Sequence, residues 1–182
     1  MEIYLIRHTE TVAEKGICYG QSDVSLKEPF DAEFDRIVTQ LMVVNPIVYS
    51  SPLIRCQILA NHICSKIETA SPVITDHRLK ELNFGEWELQ KWDDIHREIL
   101  DVWMNDFVNA VPPNGESFAN LHKRVGDFIT TSLHQKTHTQ PVVIVAHAGV
   151  IRSFLCQINN VALEEAFNLK VEFGEVIKVI IE

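Results

Sequence analysis

The chain has 182 residues, 46% of them hydrophobic and 23% charged, with a formal net charge of −9. That length supports one well-packed core and is short for two. Apolar runs such as Val142 to Ala146 are far too short to cross a bilayer, and the acidic balance argues against a general nucleic-acid binder. A small phosphorylated ligand stays open, because it needs only a local cluster of cations.

In chain order, Ile3 to Ile6 reads as a short buried strand and "GICYGQSD" (16 to 23) as a loop. Phe34, Ile37, Val38, Leu41 and Met42 recur at helical spacing over 31 to 43. Asn45-Pro46 stops that helix, "IVYS" (47 to 50) is a second strand, and Pro52 opens a helix carrying Ile54, Ile58, Leu59 and Ile63. Val73-Ile74 is a third apolar piece, and 91 to 107 looks helical through Trp92, Ile95, Ile99, Val102, Trp103 and Phe107. "VPPNGES" (111 to 117) is a loop ending in a helix start, and Phe118 to Leu133 is the next long helix. "PVVIVAH" (141 to 147) is the clearest buried strand, "AGVIRSFLCQI" follows as a helix, and Leu169 to Ile181 reads as two strands around Phe173-Gly174.

Strands alternating with helices imply a mainly parallel sheet covered on both faces, a three-layer α/β/α sandwich. No linker, repeat or low-complexity segment interrupts residues 1 to 182, so one domain is expected. The N-terminus lacks the basic start, apolar run and cleavage site of a signal peptide, so the expected location is the cytoplasm. Cys18, Cys56, Cys64 and Cys156 form no CxxC pair and no zinc spacing, and read as packed, reduced thiols. His134 and His138 sit four apart in the polar stretch "HQKTHTQ", where a solvated loop is expected rather than a metal site.

In such folds ligands bind beyond the carboxyl ends of the strands. Arg7-His8 ends the first strand, Ser50-Ser51 the second, and His147 the strand at 141 to 146. Arg55 follows one turn into the helix after "SSP", and Ala148-Gly149 lets backbone amides at a helix start approach a ligand. Singly, each is a polar strand end, a solvated arginine or a turn cap. Together they place two arginines and two histidines along one edge, a set that fits phosphate.

"LIRHTET", "SSPLIRC", "LKELNFGEWE" and "VAHAG" resemble, in order and spacing, the four signatures of the histidine phosphatase superfamily, the phosphoglycerate-mutase-like fold. The resemblance covers essentially the whole chain. "KGICYGQSDVSL" (15 to 26) further resembles the alpha-ribazole phosphatase branch, whose members remove the 5′-phosphate of alpha-ribazole phosphate in cobalamin nucleotide-loop assembly. The resemblance implies that His8 is the nucleophile, that Arg7, Arg55 and His147 hold the phosphoryl oxygens, and that Glu81 is the general acid, with Glu86 and Glu88 as neighbouring alternatives. It implies substrate contacts from Arg7, Thr11, Tyr19, Gln21, Arg55, His147 and Ala148, with no metal and no cofactor. The expected partner is a small phosphorylated metabolite, not nucleic acid or a membrane, and oligomeric state stays open.

Two positions depart from the family pattern. Thr9 stands where glycine is usual, and Glu14 where many members carry a phosphate-contacting asparagine. An ionised glutamate cannot donate to phosphate, so either Glu14 points away or another group such as Gln21 takes that part. Trp87, Trp92, Tyr19 and Phe84 are either a platform for an aromatic base or core. Rival readings are a broad-specificity sugar or nucleotide phosphatase, a phosphoglycerate mutase, for which this chain is short, and a non-catalytic phosphoprotein-binding module.

Overall fold

A computed structural model describes residues 1–68, 70–134 and 140–181. Its elements in order are β1 (Glu2–Arg7), α1 (Asp31–Gln40), β2 (Ile47–Ser50), α2 (Ile54–Lys66), β3 (Ile74–Thr75), α3 (Arg97–Asn105), α4 (Phe118–Phe128), β4 (Val142–Ala146), α5 (Ala148–Asn159) and β5 (Val176–Ile180). The five strands form one sheet in the order β3-β2-β4-β1-β5. β1, β2, β3 and β4 run parallel, and β5 lies antiparallel on β1.

Strand alternation explains the three layers. Ile3 and Leu5 of β1 point with Tyr49, Val142 and Ile144 into a core shared with Phe118, Leu121, Val125 and Phe128 of α4 and Ile151 and Phe154 of α5. Tyr4 and Ile6 point the other way, with Val48, Val143 and Val145, onto Phe34 and Ile37 of α1 and Leu59 and Ile63 of α2. A sheet buried on both faces needs continuous apolar strands, which is what "VVIVA" supplies. No described helix is long and apolar enough to cross a membrane.

Three expectations need correcting. The helix expected at 91 to 107 is confined to 97–105. Residues 90 to 92 instead bond the loop before them: Cys18 N–H donates to Gln90 O at 2.9 Å and Trp92 N–H to Gly16 O at 2.9 Å. These bonds hold the segment against that loop, and only a single short 3-10 turn, Trp92–Asp94, forms ahead of α3. The helix expected to run on from Phe118 to Leu133 is α-helical only to Phe128 and continues as one wider turn over Ile129–His134. The tail holds one strand, not two. Residues 171 to 175 give their backbone groups to the site: Gly174 N–H donates to His8 O at 3.3 Å, and Glu175 O accepts from Arg7 N–H at 3.2 Å. His138 lies outside the described residues, so the pair with His134 stays as the sequence left it.

Candidate active site

β1 ends by delivering Arg7 and His8 at the carboxyl edge of the parallel sheet. His8 is only 2% exposed. Its Nδ1 lies 2.7 Å from the backbone oxygen of Thr9. A carbonyl only accepts, so Nδ1 carries the hydrogen and Nε2 keeps its lone pair. Burial, with the Arg55 and Arg7 charges, pushes its pKa down to about 3, against the pull of the Thr9 bond. His8 is therefore a neutral imidazole with a fixed tautomer.

His147 caps the start of α5, and its ring centroid stands 5.2 Å from that of His8. It is fully buried, with Nε2 at 2.8 Å from Ser51 Oγ. Burial first, then the repulsion its proton would meet from a protonated His8 and from the Arg55 and Arg124 charges, holds its pKa well below the usual range. Cys56 packs against the same ring, Sγ to Nε2 at 3.5 Å. Burial pushes that thiol up, so it serves as a neutral neighbour.

The two arginines are held from behind. Arg55 is completely buried, and donates to Ser22 O at 2.8 Å and Gly20 O at 2.6 Å. Arg7 donates to Val171 O at 2.7 Å and lies 3.6 Å over the Phe173 ring. In both, Nε is buried and unpartnered. Two guanidinium groups beside two neutral histidines are a donor set whose chemistry suits an anion.

Glu81 projects from an irregular segment between a short turn at His77–Leu79 and another at Gly85–Trp87. Its carboxylate accepts from Leu82 N–H at 2.9 Å and Gly149 N–H at 3.1 Å. A Cβ on Gly149 would stand 2.4 Å from Glu81 Oε1, which is the local reason for glycine in "AHAG". The alternatives are otherwise engaged. Glu86 is exposed and accepts from Asn114 at 2.7 Å. Glu88 accepts from Gln21 N–H at 2.8 Å, Ser22 N–H at 2.7 Å and Phe84 N–H at 3.1 Å, locking the loop that grips Arg55.

Arg7, His8, Tyr19 and Glu81 line one cavity of about 300 Å³, together with Ile17, Cys18, Gly20, Phe84, Trp92 and Arg152. Arg55 and His147 are not among its lining residues and are completely buried near His8. An outer cavity of about 860 Å³ adjoins it through Arg7, Ile17 and Tyr19 and is lined by Thr11, Glu14 and Lys15 among others. Ala148 is buried at the first turn of α5. Gln21 is drawn into the scaffold, its side-chain amide on Glu81 O at 2.9 Å. Glu14 is exposed, 3.9 Å from Lys91. Trp87 packs with Ile95 and Leu100 as core, whereas Trp92 and Phe84 reach the cavity. Sequence reasoning missed Phe173, Arg152, Ser51 and Arg124. Only Ser51 had a local signal, its place at a strand end. Among the described residues no cluster of His, Cys, Asp and Glu could hold a metal ion.

The E. coli K12 adenosylcobalamin/alpha-ribazole phosphatase is 30% identical over 96% of this chain and 87% of the relative. A Hydrogenobacter thermophilus protein named for phosphoserine hydrolysis is 30% identical over 93% and 84%. The crystal structure of the alpha-ribazole phosphatase from Shigella flexneri superposes with a TM-score of 0.89 at 28% identity, covering 100% of this chain and 91% of that one. The description of the histidine phosphatase superfamily (branch 1) matches residues 3–182. With a matching fold and two relatives named as phosphatases, the chain belongs to branch 1 of the histidine phosphatase superfamily and is an enzyme of the phosphatase class.

Proposed function

We propose that the protein hydrolyses phosphomonoesters through a phosphohistidine at His8, with alpha-ribazole 5′-phosphate as its substrate. The observation that carries the chemistry is the His8 tautomer, whose Nδ1 is tied to Thr9 O. In the first step the Nε2 lone pair forms the N–P bond while the ester P–O bond breaks, and the departing oxygen takes a proton from Glu81. In the second, water gives a proton to Glu81 and attacks phosphorus. The P–N bond breaks, returning neutral His8 and free phosphate. Arg7, Arg55 and His147 stabilise the oxygens across which charge spreads.

The leaving group decides between relatives of equal identity. Ile17, Tyr19, Phe84 and Trp92 give the inner cavity an apolar, aromatic side. Trp92 is braced edge-on by Phe84 at 5.2 Å, a rigid platform for a flat base. A second reading rests on Arg152. Its Nε bonds Leu169 O at 3.0 Å and its guanidinium stands over Phe167; it lines the cavity, with no ion pair to a carboxylate among the described residues. That cation suits a leaving group bearing a carboxylate, such as phosphoserine or a phosphoglycerate.

One experiment tests the chemistry and another the substrate. Labelled ester, quenched during turnover, should leave an alkali-stable, acid-labile phosphoryl group on the wild type and none on His8→Ala. Label persisting in that variant sinks the nucleophile. kcat/KM across alpha-ribazole phosphate, nucleotides, sugar phosphates, phosphoserine and 3-phosphoglycerate should peak at the base-bearing ester and fall with Trp92→Ala. A maximum at phosphoserine, lost with Arg152→Gln, establishes the second reading instead.

A further inference from the structure

The segment that carries Glu81 has no ladder or helix of its own, so its backbone polar groups must find other partners. They find one ion pair. Arg124, from the middle of α4, donates to Arg78 O at 2.6 Å, Lys80 O at 2.7 Å and Glu81 O at 3.0 Å. Its other donors meet Glu116, Nη2 to Oε1 at 2.6 Å and Nε to Oε2 at 3.1 Å. Glu116 in turn accepts from Asn83 N–H at 3.0 Å. The peptides on both sides of the Glu81–Leu82 link are thus fixed by a two-pronged pair, mostly buried, with 19% and 17% of the side chains exposed.

The loop supplying Glu116 is seated with little play. Gly85 has φ 55, and a Cβ there would meet Pro113 O at 2.0 Å, while a Cβ on Gly115 would meet Asn83 O at 2.5 Å. Ser117 then caps α4 by accepting from Asn120 N–H at 3.2 Å. "PPNGES" therefore ties the acid's segment to the helix that holds Arg124. Gln21 joins the same assembly, donating to Glu81 O at 2.9 Å and Glu116 Oε1 at 3.4 Å.

We propose that the Arg124–Glu116 pair is a positioning unit that fixes the Glu81 carboxyl against the leaving-group oxygen. The proposal rests on Glu81 being the general acid. Neither residue lines the inner cavity. Their effect on Glu81 runs through the backbone of residues 78 to 83. Lysine at 124 keeps the charge but offers a single donor head in place of the fork, so it cannot hold three carbonyls and Glu116 together.

The test measures kcat/KM for a series of aryl and alkyl phosphates of rising leaving-group pKa in wild type, Arg124→Lys, Glu116→Gln and Glu81→Gln, with thermal melts of each. Positioning predicts that Arg124→Lys and Glu116→Gln lose up to about 100-fold on alkyl esters and little on 4-nitrophenyl phosphate. They should copy the slope of Glu81→Gln in weaker form. A uniform loss across the series, or none, while Glu81→Gln is leaving-group dependent, overturns the positioning unit alone. A flat Glu81→Gln series overturns the general acid and the proposal with it. Glu116→Gln, which keeps volume and an acceptor oxygen, carries the test if Arg124→Lys does not fold.

Discussion

Gly149→Ala separates the stability of α5 from the work of its first turn. The added Cβ would lie 2.4 Å from Glu81 Oε1, 3.3 Å from Glu81 Cδ and 3.5 Å from Leu121 Cδ1. The contact with Leu121 is ordinary, but the carboxylate must retreat by about 1 Å to reach normal separation. Being the end of a side chain, it can move. Alanine favours a helix over glycine by up to about 1 kcal/mol, and loss of the 3.1 Å bond from Gly149 N–H costs about the same. The melting temperature should therefore shift by no more than about 4 °C. Misplacing a catalytic group by 1 Å costs about 100-fold, near 2.7 kcal/mol in the barrier. kcat/KM should collapse for alkyl phosphates and hold for 4-nitrophenyl phosphate, whose leaving group needs little protonation. Alkyl phosphate turnover within about threefold of wild type refutes the reasoning.

Acid stability follows from the histidines. The unfolded His8 titrates near 6.5 and the folded one at about 3, so below 6.5 the unfolded chain binds a proton that the native one refuses. Stability should fall as pH drops from 6.5 toward 3, by at most about 1.4 kcal/mol per pH unit for this group, and His147 acts in the same direction. His8→Ala should flatten melting temperature against pH in that window, and an unchanged slope counts against the neutral ring. Phe173→Leu removes the platform 3.6 Å under Arg7 and should raise the inhibition constant for inorganic phosphate about two- to fivefold. An unaltered constant means Arg7 needs no such support. Glu88→Gln should lower stability by about 1–3 kcal/mol, because the carboxylate collects three backbone donors. It should slow good and poor leaving groups alike; a selective loss on poor ones would return Glu88 to candidacy as the acid.

What the sequence made legible is what periodicity and strand ends encode. The continuous apolar runs of "EIYLI" and "VVIVA" mark strands buried on both faces, and β1, β2 and β4 end where Arg7, Ser50 and Ala146 put them. The tail and residues 91 to 96 were misread for one reason. Their apolar side chains, Phe173 and Trp92, serve the site rather than a ladder or helix, and periodicity records only that a side chain is buried. Arg124 escaped because its carbonyl partners lie 43 to 46 residues away, and Glu116 because its backbone donor, Asn83 N–H, lies 33 residues away, separations that no local pattern registers.

The two departures from the family pattern find a physical account in the backbone. Thr9 has no positive φ, so glycine's conformational freedom is not required there. Its part in orienting His8 comes from the carbonyl, which any residue supplies. The cost of threonine is a buried hydroxyl with no partner among the described residues, next in sequence to His8. Glu14 has its side chain 79% exposed and lies 3.9 Å from Lys91. It lines the outer cavity but not the inner one that contains His8. A carboxylate so exposed and outside the inner cavity is screened by solvent. Glutamate at this position thus faces the outer cavity and makes no ion pair with Arg7 or Arg55 among the described residues.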